Sequence, residues 1–335
     1  MSSKRKTVPP PRPPRAIVLL GAQRFDPTLG ATVAALGIDG PIATITAGWQ
    51  ERENEDSELH EHLRGRSVNL RLHQRAEDVF EKDPELAKLH HARQVILRHK
   101  QDFYRIRLQH ELDANHVIRQ RKAPPEILAE EETASIAAIR QLDEYHLSES
   151  ARVQAEYEAE VRPFERASIA KHRREISQIL SECPALAIAG GHVASLLNRL
   201  RLFGIERLID GHAVLAWSAG AMAISERVVL FHDNPPQGPG AAEVLDHGLG
   251  LIPGVVVLPH PETRLRLGDP ERVSVLAQRF APAMCLAFPA GAHVTYLKGM
   301  PERPFSVLVL HEDGTRSALQ EGQQQAQEDG KEGKA

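Results

Sequence analysis

Apolar and polar positions follow three regimes along the chain. Between 15 and 72, AIVLLG at 16–21 is a short apolar run closed by glycine, and DPTLGATVAALG at 26–37 has helical spacing with proline near its start and glycine at its end. PIATITAG at 41–48 is strand-like again, so a parallel β-α-β unit is predicted. RSVNLRL at 66–72 alternates, which predicts a strand nearer the sheet edge. Between 75 and 180 glycine disappears, charges become dense and apolar residues recur at helical spacing, with Leu89, Ile96, Phe103 and Val117 on a seven-residue frame and His110 in the missing place. Pro124-Pro125 breaks this run. From Pro184 the strand–helix grammar returns with ALAIAGG, VASLLNRLRLFG, HAVLAW and SAGAMAISE, followed by apolar runs at RVVLF, VVVLP, AMCLAF, HVTYL and FSVLVL.

The fold class predicted is α/β: a mostly parallel sheet flanked by helices, occupying 15–74 and 181–312, with an autonomous helical insertion at 75–180. The basic, proline-rich arm at 1–14 and the Gln/Glu/Gly/Lys tail at 313–335 are expected to be disordered. Between 93 and 122 there are 8 basic and 3 acidic residues, and between 126 and 160 there are 10 acidic and 2 basic, so a hairpin folded at the prolines would set opposite charges side by side. At 335 residues the chain can hold one large α/β domain and an insertion. Aromatics make up only 4%, so the core must come mainly from Leu, Val, Ile and Ala. A net charge of -4 supplies no global basic field, which argues against nucleic-acid and membrane-surface partners. Cys183 and Cys285 lie in or beside apolar runs, so a reducing cytoplasm is expected rather than a disulfide framework.

The chemistry concentrates at three strand ends. Ala216-Trp217-Ser218-Ala219-Gly220-Ala221 lies where an apolar strand gives way to a helix. A nucleophile on so tight a turn needs small neighbours two residues away on either side, as Ala216 and Gly220 are, and the helix start would favour an oxyanion. The plain alternative is a serine N-cap. Gly190-Gly191-His192 follows the strand ALAIA. Its glycines would let backbone approach a ligand, with N–H groups of Gly191 and Ala219 forming an oxyanion hole and Gly190 and His192 touching substrate. An ordinary strand-to-helix turn explains the same residues, and a phosphate loop is excluded because no Gly-Lys-Ser/Thr follows. His260 follows the strand VVVLP and is placed at the sheet edge of Ser218 as its general base. For the third catalytic member, Asp233 after RVVLF and Glu262 on the histidine's own loop are both open. Trp49-Gln50-Glu51-Arg52 should reach the same edge, with Glu51 as a substrate contact. No metal-ligand spacing emerges and no cofactor is expected.

These blocks together resemble the serine peptidase family of dipeptidase E (aspartyl dipeptidase) and cyanophycinase, which has the class I glutamine amidotransferase-like fold. Gly190-Gly191 matches that family's turn, Ser218-Ala219-Gly220-Ala221 its elbow with the nucleophile, Pro259-His260 its histidine block, and Arg264 and Arg266 its arginine pair. Thr46-Ala47 is similar to the end of its second strand, and Asp233 resembles the acid of the dipeptidase branch. The chain departs from the pattern at His192-Val193, where Asn-Gln or Asp-Gln is usual, at Trp217 in place of Thr, at Leu258 in place of an acid, and at Ala287-Phe288-Pro289-Ala290, which lacks acids. The segment 75–180 has no counterpart in it.

The resemblance implies a serine-dependent hydrolase of an amide or peptide bond, with Ser218 as nucleophile and His260 as base. Its substrate would be a small peptide or amide, acidic if Arg264 or Arg266 faces the site and grips a carboxylate in a fork. The insertion would serve as a lid or as a surface for homo-oligomer assembly. Two rivals stand beside this reading: a catalytically silent amidotransferase-like binding protein, and an interaction protein working through the helical insertion.

Overall fold

Each strand of the central sheet sends alternate side chains to opposite faces, and in its inner parallel strands both faces are buried. The computed structural model describes residues 13–24, 27–231 and 242–323. Strand β1 (Ala16–Leu20), helix α1 (Leu29–Ala35) and β2 (Ile42–Ile45) form the first unit, followed by a 3-10 stretch (Ala47–Arg52), α2 (Ser57–His62) and β3 (Ser67–Asn69). After the helices α3 (Leu72–Lys82), α4 (Pro84–Arg119), α5 (Pro125–Val161) and α6 (Ala167–Glu182) come β4 (Ala185–Ile188), α7 (Val193–Phe203), β5 (Ala213–Trp217) and α8 (Ala219–Ile224). The remaining elements are β6 (Arg227–Leu230), β7 (Glu243–His247), β8 (Val255–Pro259), α9 (Pro261–Arg264), α10 (Pro270–Phe280), β9 (Met284–Phe288), β10 (His293–Leu297), β11 (Met300–Phe305), β12 (Leu308–Leu310) and β13 (Arg316–Ala318).

The main sheet has the order β11-β10-β1-β5-β4-β2-β3. Strands β1, β5, β4, β2 and β3 run parallel, and β10 and β11 close one edge antiparallel. Ile17, Leu19, Ile45, Ile188, Val214 and Ala216 face one core, beneath α3, α6, α7 and α8. Val18, Leu20, Ile42, Ala187, Leu215 and Trp217 face the other, beneath α1 and α2. This is the α/β class that the apolar runs predict, with β3 at the edge.

The runs VVVLP and AMCLAF do not join that sheet. They form β8 and β9 of a second sheet with the order β13-β12-β9-β8. Val255, Val257, Leu286 and Phe288 turn toward the main core, whereas Val256, Leu258, Cys285 and Ala287 pack with α10 and the long helices. Residues 316–319 of the tail also depart from expectation: β13 pairs antiparallel with β12, and Leu319 is buried, while 1–12 of the arm and 324–335 of the tail lie outside the described residues. Backbone pairing orders this polar stretch where its composition suggests none.

Helices α4 and α5 are an antiparallel hairpin broken at the prolines, with Lys100 to Glu149 at 2.6 Å and Arg119 to Glu132 at 4.0 Å joining the basic and acidic arms. They are not autonomous. Leu86, Tyr157 and Val161 belong to the main core, and Tyr104, Leu108, Ile136 and Ile139 share a second core with residues of β7 and α10. The seven-residue frame points away from this packing: Ile96, Phe103 and Val117 are exposed, whereas Arg93, Gln101 and Asn115 are buried and hydrogen-bonded to Gln154, Glu243 and Ser135. The inner face of α4 combines these polar pairs with Leu86, Tyr104 and Leu108, and of the seven-residue frame only Leu89 packs against the core.

Candidate active site

Strand β5 ends at Trp217 and the chain reverses into α8 through Ser218, whose φ of 49° and ψ of -121° are a conformation that side-chain-bearing residues rarely adopt. Strain of this kind persists only where the surroundings impose it. A Cβ on Gly220 would lie 2.3 Å from the Ile188 carbonyl oxygen and 2.9 Å from that of Ala189, so α8 can leave β5 this tightly only with glycine there. On the neighbouring strand, a Cβ on Gly190 would stand 2.9 Å from Ser218 Cβ and 3.5 Å from Ala219 N. Gly190 thus lies over the serine and the amide that follows it.

His260 follows β8 in a left-handed conformation (φ 55°, ψ 51°) that aims its ring back over β5. Its Nε2 lies 3.4 Å from Ser218 Oγ. The histidine therefore arrives from the second sheet and not, as the sequence suggested, from the sheet that carries the serine. That distance is at the long end of a hydrogen bond, and pairs of this kind often shorten when substrate is bound.

The turns after β2 and β4 interlock beside this pair. His192 N–H donates to the Gly48 carbonyl at 2.8 Å, and a Cβ on Gly191 (φ 117°) would meet the Gly48 carbonyl carbon and oxygen at 2.5 Å. A buried carboxylate anchors the start of α3 behind this interlock: Glu53 accepts from His73 N and Gln74 N, while burial pushes its carboxyl above the ordinary range.

A cleft of about 910 Å³ opens over Ser218. Gly190, Gly191, His192, Ala219, His260 and Arg264 border it. Of the other candidates, Arg266 and Glu51 do not: both are exposed, and the 3-10 turn presents Trp49 and Arg52 to the cleft in place of Glu51. Glu262 is exposed on α9 and does not border the cleft either. Asp233 lies outside the described residues. Trp217, buried on the α1–α2 face, forms part of the floor. Leu230 and Phe231 bring the β6 end to the cleft, although nothing in their apolar run marks them for it, and Ser195 lies beside His192 at the start of α7. Among the described residues no group of three or more His, Cys, Asp or Glu is placed to hold a metal ion, and no helix is long and apolar enough to cross a membrane.

No protein-family model matches the chain, and no curated protein matches it. Among solved structures, a peptidase from an acI-B1 Actinobacterium is similar with a TM-score of 0.44 and 12% identity over 92% of this chain and 99% of that one. A likeness that low does not bear on the chemistry, which rests on the geometry of the site itself.

Proposed function

We propose that the protein is a serine-dependent hydrolase of amide or peptide bonds, with Ser218 as nucleophile and His260 as general base. One observation carries this reading: a serine held at φ 49°, ψ -121° between a strand and a helix, with a histidine nitrogen 3.4 Å from its hydroxyl. His260 Nε2 takes the hydroxyl proton as Oγ attacks the substrate carbonyl carbon. The N–H groups of Gly191 and Ala219 stabilise the oxyanion that forms. The proton then passes to the leaving nitrogen, the C–N bond breaks, and a water activated by the same histidine hydrolyses the acyl-serine. Arg264 at the cleft wall suits a carboxylate-bearing substrate. The resemblance of the three strand-end blocks to the dipeptidase E and cyanophycinase family agrees with this assignment. Incubating the full chain with dipeptide anilides and following intact mass tests it: an acyl adduct that is absent from Ser218→Ala is expected, and turnover that survives Ser218→Ala overturns it.

A further inference from the structure

Gln50 repeats the backbone of the nucleophile. Its φ of 58° and ψ of -123° match those of Ser218. Backbone strain at a side-chain-bearing residue beside a cleft calls for a reason in what that side chain does. Gln50 Nε2 donates to Ser195 Oγ at 2.8 Å, and Ser195 Oγ lies 2.9 Å from His192 Nδ1. The same Nδ1 accepts the backbone N–H of Ser195 at 3.2 Å, which makes His192 the N-cap of α7.

A backbone amide can only donate, so the 3.2 Å contact from Ser195 N–H favours a lone pair on His192 Nδ1, and the shorter 2.9 Å contact with the Ser195 hydroxyl decides between the two tautomers. The Ser195 hydroxyl, receiving the Gln50 amide proton on its oxygen, is then free to direct its own proton to Nδ1. All three contacts run in one direction, and the neutral ring holds its proton on Nε2. His192 borders the cleft beside Gly190 and Gly191.

We infer that Gln50 and Ser195 are positioning residues that hold His192 as a fixed Nε2–H donor, creating a subsite for an acceptor oxygen of the substrate, carbonyl or carboxylate. This rests on the hydrolase reading for what occupies the cleft, while the tautomer itself does not depend on that reading. Reversing the relay should reverse the ring. In Gln50→Glu the carboxylate accepts the Ser195 hydroxyl proton, the serine oxygen turns its lone pairs to the histidine, and Nδ1 becomes a favoured protonation site.

The test is long-range proton–nitrogen correlation on the ¹⁵N-labelled full chain, with the His192 signals assigned by their loss in His192→Gln. The Nε2–H tautomer is expected in the native chain and increased Nδ1 protonation in Gln50→Glu. Binding to Ser218→Ala protein supplies a second readout. Adding Ser195→Ala should weaken a dipeptide by roughly 3- to 10-fold, the range of one neutral hydrogen bond. Comparing the free dipeptide acid with its C-terminal amide separates the two acceptors, since a loss confined to the acid identifies the carboxylate and an equal loss identifies a carbonyl. A native ring protonated on Nδ1, or a spectrum and an affinity indifferent to both substitutions, overturns the inference. Failure of Ser218 to react with acylating probes, with the tautomer as expected, would instead remove the hydrolase reading and leave the relay standing.

Discussion

Ser218 Oγ and His260 Nε2 approach to 3.4 Å although the serine ends a strand of the seven-stranded sheet and the histidine ends a strand of the four-stranded one. The pair depends on how the two sheets are packed together, through Val255, Val257, Leu286 and Phe288 in the main core. Changes that disturb the backbone beneath the serine should therefore separate from changes that only block it.

Gly220→Ala and Gly190→Ala make that separation. At Gly220 the added Cβ meets backbone oxygens of Ile188 and Ala189, which cannot move without shifting β4. Destabilisation of about 1 to 3 kcal/mol or more is expected in urea unfolding, as for overpacked interiors. At Gly190 the added methyl presses on Ser218 Cβ at the cleft floor. There we expect a smaller loss of stability than at Gly220 and a large loss of acylation.

Arg264 and Arg266 should differ in function although they are two residues apart. Arg264 borders the cleft, while Arg266 is exposed away from it. Titration of an acidic dipeptide by calorimetry should show Arg264→Lys weakened by about 1.5 to 3 kcal/mol, the range of a charge-assisted hydrogen bond. Arg266→Lys should bind as the native chain does.

Burial of the Arg279 side chain is compensated by three partners: Asp143 at 2.6 and 2.8 Å, Tyr104 Oη at 2.8 Å and the Ala242 carbonyl at 2.6 Å. Tyr104 Oη also accepts from Val244 N, so this cluster ties α4, α5 and α10 to β7. Asp143→Ala leaves a guanidinium buried without its counter-charge and should cost about 3 to 5 kcal/mol in denaturant unfolding. Asp143→Ala/Arg279→Met should recover part of that loss.

His90 is buried against Phe80 and Tyr157, and burial, with Arg93 and Arg199 nearby, lowers its pKa from the ordinary 6.5 to about 3. The unfolded chain binds this proton below pH 6.5 and the folded chain does not. Stability is therefore unaffected by this group above pH 6.5 and falls as pH drops from 6.5 toward 3, by at most about 1.4 kcal/mol per pH unit. Melting temperatures of His90→Phe should decline less steeply than those of the native chain over that window.

Much of this candidate site was legible because its polar side chains and glycines sit where apolar runs stop. HAVLAW before Ser218, ALAIA before Gly190 and VVVLP before His260 mark three strand ends, and the structure brings all three to one cleft. What periodicity does not encode is which sheet a buried run joins, so VVVLP reads as a main-sheet strand. The strain at Gln50 was hidden for a related reason: Trp-Gln-Glu-Arg contains no glycine to announce a positive φ, and of that run the structure brings Trp49 and Arg52, but not the expected contact Glu51, to the cleft. On α4 the apolar frame was visible, but the polar partners that bury the opposite face, such as Glu243 for Gln101, lie 142 residues away.

The role proposed for Ser218 is tested most directly by a fluorophosphonate probe with the modified peptide mapped by mass spectrometry. The account predicts a single adduct on Ser218, absent from Ser218→Ala and formed at least about 100-fold more slowly in His260→Ala, the lower bound for losing a general base. Labelling that persists in Ser218→Ala, or a native chain that never reacts, would contradict it.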